Sequence, residues 1–107
     1  MESARLDQLF QFLKDRPDDS FVLFAIAKEY EGLDDENNAK SYYLKLINDH
    51  PDYVGTYYHL GKLYERAEAF ELAEDTYQKG MKVAKAAGDR HAYGELMGAY
   101  EMISDEF

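Results

Sequence analysis

Apolar residues recur every three to four positions along nearly the whole chain, the spacing that lines one face of an α-helix. Leu6, Leu9, Phe10 and Leu13 predict a helix over Ala4 to Lys14, stopped before Pro17, because proline disfavours helical geometry in the residue preceding it. Leu23, Ile26, Ala27 and Tyr30 predict a second from Ser20 to Glu31, with Asp18 or Asp19 as its cap and Gly32 at its C-terminus. Ala39, Tyr43, Leu46 and Ile47 predict a third, Asp35 to Asn48, with acidic residues at its positive end. Tyr57, Leu60, Gly61 and Tyr64 mark a fourth, Tyr53 to Arg66, and His50-Pro51-Asp52 ends the third helix and caps it. Phe70, Ala73, Tyr77, Met81 and Ala84 give a fifth, Ala69 to Ala86. Gly88-Asp89 separates it from a sixth, Arg90 to Ser104, with Tyr93, Leu96, Met97, Tyr100 and Ile103 inward, and Ser104 to Phe107 is expected to fray. No segment alternates with period two. The expectation is an all-α chain of six helices without strands.

Gly61 is out of place by propensity, since glycine inside a helix costs about 1 kcal/mol relative to alanine. Its retention predicts that a second helix backbone comes close there. Sliding the chain by 34 residues supplies a reason. Pro17-Asp18 falls on Pro51-Asp52. Leu23, Ile26, Ala27 and Tyr30 fall on Tyr57, Leu60, Gly61 and Tyr64. Ala39 falls on Ala73 and Tyr43 on Tyr77. A slide of 36 places Tyr57, Leu60, Gly61 and Tyr64 on Tyr93, Leu96, Met97 and Tyr100. A single helical hairpin cannot bury its apolar stripe; stacked hairpins can. Small residues at Ala27, Gly61, Ala39 and Ala73 let paired helices approach.

The period and the pattern Tyr57-x2-Leu60-Gly61-x2-Tyr64 followed by Ala73-x3-Tyr77 resemble the tetratricopeptide repeat. In the first copy the pattern stands as Leu23-x2-Ile26-Ala27-x2-Tyr30, Ala39-x3-Tyr43 and Pro51. The resemblance implies one domain over 1–107, a right-handed α-solenoid of antiparallel helix hairpins. Residues 4–16 form an N-terminal capping helix, 20–53 repeat one, 54–89 repeat two, and 90–104 a C-terminal half-repeat. Lys85 replaces the closing proline of repeat two, and Leu46 and Gly80 stand where alanine is usual, so a local adjustment of packing is expected.

Composition narrows function by exclusion. The 107 residues carry a net charge of −10, from 22 acidic against 12 basic side chains, so nucleic acid and anionic membranes are not expected partners. There is no cysteine, hence no disulfide and no thiolate metal site. No apolar run is long enough to span a bilayer, and the first residues do not form a signal peptide, which makes the cytoplasm the expected compartment. His50, His59 and His91 do not form a zinc spacing. Asp34, Glu36 and Asn38 imitate the start of a calcium loop, but Ala39 and Lys45 stand where its glycine and bidentate glutamate belong. Neither a phosphate loop nor a nucleophile elbow occurs. An enzyme, a cofactor and a metal are therefore not expected.

In the family, first helices line the concave face. The resemblance implies that Phe21, Phe24, Lys28, Glu31 and Gly32 face the groove, then Gly55, Tyr58, Lys62, Glu65 and Arg66, then His91, Gly94, Gly98, Glu101 and Met102. Helical geometry agrees for Phe24 and Lys28, i and i+4 on a side away from the packing stripe, and for Tyr58, Lys62 and Glu65. Partner-binding residues are thus expected at Phe21, Phe24, Lys28, Glu31, Tyr58, Lys62, Glu65, Arg66 and His91. Aromatics beside cations suit a protein or peptide carrying acidic groups or a free carboxylate. The competing account has Phe21 and Phe24 packing on the first helix and the lysines pairing with Glu31 and Glu65. A second functional reading is a self-associating scaffold, a homodimer formed at the solenoid end through Tyr93, Met97, Met102 and Phe107.

Overall fold

In a computed structural model that describes residues 3–104, six helices follow one another: α1 (Ala4–Asp15), α2 (Ser20–Gly32), α3 (Glu36–Asp49), α4 (Gly55–Arg66), α5 (Phe70–Ala87) and α6 (Arg90–Ser104). There is no strand among the described residues. Ser104 is helical; the remaining residues expected to fray lie outside those described. The helices gather into two compact units, one up to His50 and one from Pro51 onward.

In the first unit α2 packs on α3, and α1 on α2. Leu6, Leu9, Val22 and Ile26 form one cluster, flanked by Phe10, Leu13, Tyr30 and Tyr42. The Tyr42 ring stacks on Tyr30, with centroids 5.9 Å apart, and tilts against Phe10 at 6.4 Å. Leu23, Ile26, Ala27, Ala39, Tyr43 and Leu46 have no accessible surface. Each buried leucine or isoleucine contributes about 1.5–3 kcal/mol. In the second unit α4 packs on α5, and α6 lies against both. Tyr57, Leu60, Leu63, Tyr77, Leu96 and Ile103 are its core.

Helix starts repeat one chemical device. Ser3, Asp19 and Asp35 each accept from the amide three residues on, at 3.2 Å, and Asp89 accepts from Ala92 at 3.0 Å. Such caps satisfy amides that have no partner in the first turn. The expected cap of the fourth helix does not form. That helix begins two residues later than expected, Val54 is its flanking residue, and there is no side-chain cap. The Tyr57 hydroxyl donates to the Pro51 carbonyl.

Helix ends differ from expectation in a related way. Gly32 is still helical, and the left-handed residue is Asp34, with φ 59°. Its equivalent 34 positions on, Glu68, has φ 60°. Around each, the following amide reaches back five residues: Asp35 to the Tyr30 carbonyl at 2.9 Å, Ala69 to Tyr64 at 2.8 Å. This is the hydrogen-bond pattern of a Schellman stop. Between α5 and α6 the same position is taken by Gly88, with φ 71°.

Gly61 also has a different cause from the one expected. A β-carbon there would sit 2.2 Å from Cε1 of Tyr77, so the glycine makes room for a ring, not for a backbone. At Gly80 a β-carbon would lie 2.5 Å from the Tyr57 Cβ. Repeat one holds Leu23 and Leu46 at the equivalents of Tyr57 and Gly80. The second unit therefore redistributes volume: a larger residue on α4 and none on α5.

Thr56 is fully buried, and its hydroxyl has no hydrogen-bond partner among the described residues. An unpaired buried hydroxyl costs about 1–3 kcal/mol. Repeat one carries Val22, also buried, at the equivalent position. Thr56→Val is therefore expected to raise stability by about 1 kcal/mol. Denaturant unfolding checks it, and a lower midpoint would mean that the hydroxyl is paired.

Candidate partner-binding site

Each first helix carries an aromatic residue, a lysine and a glutamate, 34 residues apart, and each second helix sets a tyrosine beside them. In the first unit, Phe24 on α2 tilts over the buried Tyr43 ring of α3 at 6.0 Å. Tyr43 donates its hydroxyl to Glu31, and Lys28 lies between Phe24 and Glu31 in sequence, exposed. In the second, Tyr58 on α4 tilts over the buried Tyr77 ring of α5 at 6.5 Å. Tyr77 donates to Glu65, and the Lys62 ammonium lies 3.5 Å from Glu65 and 5.5 Å from the centre of the Tyr58 ring. That distance is within cation–π range.

The carboxylates thus have a structural partner that spacing alone did not expose. Glu31 and Glu65 each tie the last turn of a first helix to the core tyrosine of its second helix. Both glutamates recur with their tyrosines at the 34-residue slide, a signal present in the sequence. Burial pushes the Tyr77 hydroxyl well above the ordinary tyrosine range, and the bond to Glu65 adds to this by favouring the protonated form.

The competing account of these positions is met in part. Lys62 does pair with Glu65. The Phe24 ring meets Tyr43 of α3, and Phe21 is 69% exposed. Tyr58 is half-buried, and its ring meets the His59 ring edge-on at 5.7 Å. Both rings line a cleft of about 220 Å³ with Val54, Gly55, Ala92, Glu95 and Leu96. His59, beside Tyr58 in this cleft, is not one of the expected partner-binding residues. Arg66 is exposed. His91 is exposed on α6, with Nε2 3.6 Å from Glu95.

On the same helix Tyr93 and Met97 are half-buried, Met102 is 71% exposed, and Phe107 lies outside the described residues. His50 lies 3.1 Å from Asp18, and Asp35 is the cap of α3. Among the described residues there is no group of three or more His, Asp or Glu placed to hold a metal ion. No helix among them is long and apolar enough to cross a membrane.

Comparison with known proteins bears on this arrangement. The tetratricopeptide repeat model matches residues 22–48 and 54–86, one match in each unit. No curated protein matches the chain. The crystal structure of a tetratricopeptide repeat domain protein from Salinibacter ruber is similar, with TM-score 0.79 and 40% identity, covering 81% of this chain and 97% of that one. Its solution structure gives the same TM-score and identity over 83% and 90% of the two chains. A Bordetella parapertussis protein shares the fold at 20% identity and TM-score 0.79, over 99% of this chain and 91% of that one. With repeated helix pairs, a duplicated side-chain set and a family model that matches both copies, the chain belongs to the tetratricopeptide repeat family.

Proposed function

We propose that this protein is a non-enzymatic interaction module that holds a peptide or partner helix carrying acidic groups against its first-helix faces. Repeats of this family generally mediate protein–protein interaction. The observation that carries the reading is the duplicated spacing of an aromatic residue and a lysine four residues on, Phe24 and Lys28, Tyr58 and Lys62, with the second lysine within cation–π range of its ring. Each ring rests on a buried tyrosine and is held in place before any partner arrives. A preordered ring loses little conformational freedom on binding. The Lys62 ammonium, 5.5 Å from the centre of the Tyr58 ring, offers charge-assisted hydrogen bonds to a carboxylate. On a chain of net charge −10, a local cation also decides which acidic segment is tolerated.

Fluorescence anisotropy against a panel of peptides graded in acidity tests this reading. Acidic peptides are expected to bind the native protein best. Lys62→Glu and Tyr58→Ala should each weaken that binding about tenfold, about 1.4 kcal/mol, with the circular dichroism spectrum unchanged. Equal affinity of all three proteins for the panel would discard the proposal.

A further inference from the structure

The charges of α5 are segregated along its length. No lysine or arginine occurs from Ala67 to Gln78, and no aspartate or glutamate from Thr76 to Gly88. The helix is therefore acidic in its first half and basic in its second. Glu71, Asp75, Gln78, Lys82 and Lys85, spaced four and three apart, share one stripe. Leu72, Lys79 and Ala86, seven apart, run beside it, and all eight are exposed. Leu72 is 52% exposed, large for an apolar residue on a helix this charged.

We infer that two copies of this protein associate through an antiparallel pair of α5 helices. Reversing the helix about the midpoint between Gln78 and Lys79 returns the same eight positions. Position 71 exchanges with 86, 72 with 85, 75 with 82, and 78 with 79. A second copy laid antiparallel thus sets Asp75 level with Lys82 of the other helix, and Glu71 within one residue of Lys85. By two-fold symmetry each pairing occurs twice, as in an isologous interface. Leu72 and Ala86 supply the apolar flank.

The helix macrodipole does not account for the pattern, since its influence is confined to the first and last turns. It covers Glu71 and Lys85 and leaves Asp75, Lys79 and Lys82. Lys79 holds Asp75 within the helix at 3.0 Å, whereas Lys82 and Lys85 extend from it without a carboxylate partner among the described residues. The repeat does not require the pattern either: α3, the equivalent helix, has Glu36 and Asp49 at its two ends with Lys40 and Lys45 between them.

Exposed ion pairs are individually weak and screened by salt, so the dimer is weak and salt-sensitive. Sedimentation equilibrium at low salt should show self-association that recedes as salt is added. The charge-reversed variants Glu71→Lys/Asp75→Lys and Lys82→Glu/Lys85→Glu should each dissociate at least about tenfold more readily than the native protein, and an equal mixture of the two should recover the association. The chain has no cysteine, so Gln78→Cys, beside the symmetry axis, should form an intermolecular disulfide faster than Gln11→Cys on α1. A native protein that stays monomeric at the highest soluble concentration would overturn the inference. So would reversed variants that associate as before, a mixture that does not recover, or equal crosslinking of the two cysteine variants. Association unchanged by reversal would assign the contact to another surface, such as the end of α6 bearing Met102.

Discussion

Gly80→Leu should lower the stability of the second unit by about 3 kcal/mol, the upper end of what overpacking usually costs. The replacement meets the Tyr57 Cβ, an atom fixed to the α4 backbone, and Leu96 Cδ1 at 3.0 Å. The end of the Leu96 side chain can shift, but the Tyr57 Cβ cannot move without its helix. Tyr57→Leu alone should cost about 2–3 kcal/mol, from the space left by the ring and the lost bond to the Pro51 carbonyl. The two changes together install the pair that repeat one uses, Leu23 and Leu46, both fully buried. The double variant is therefore expected to be more stable than the sum of the single losses by at least about 1 kcal/mol, the signature of a shared volume. Urea unfolding of the four proteins measures it. Strict additivity would show that the positions do not share that volume.

Tyr77→Phe should cost about 2 kcal/mol at neutral pH, the usual value for a hydrogen bond to a charged group. It removes the hydroxyl that Glu65 accepts and leaves the ring in place under Tyr58. The effect has a pH signature. In the folded protein Tyr77 keeps its proton to higher pH than an ordinary tyrosine, for which ionisation occurs at about 10. Below that value both folded and unfolded chains hold the proton, and the full benefit is present. Above it the unfolded chain ionises first, so stability falls as pH rises. The advantage of the native protein over Tyr77→Phe should accordingly shrink above pH about 10. An advantage that stays constant into strong alkali would mean that the hydroxyl is not protected.

The fold was legible because its information is periodic. Stripes at helical spacing placed six helices, and the displacement by 34 residues paired them. The errors fell where a contact depends on a residue distant in sequence. Gly61 could be recognised as a close approach from its own helix, but the neighbour being a ring on α5 could not. Asp52, by contrast, is a local error: it has the right chemistry to cap a helix, yet α4 begins at Gly55 without a side-chain cap. At the candidate site, the family pattern singles out positions along α2 and α4. The division of labour was less legible: Glu31 and Glu65 face outward by spacing, but their carboxylates hold core tyrosines. Phe24 and Tyr58 likewise each have a side committed to a buried ring.

The reversals at Asp34 and Glu68 bear on how this chain can change over generations. Gly32-Leu33-Asp34-Asp35 and Arg66-Ala67-Glu68-Ala69 share no residue at any matched position, yet their backbones follow the same course. What the two copies inherited there is a length. Four residues must separate the last full helical turn from the next first turn, and the side chains are free to drift provided the third accepts a left-handed conformation. Point substitutions accumulate in such a segment unnoticed, whereas one inserted or deleted residue rotates the whole following helix by about 100° and turns its apolar stripe away from its mate.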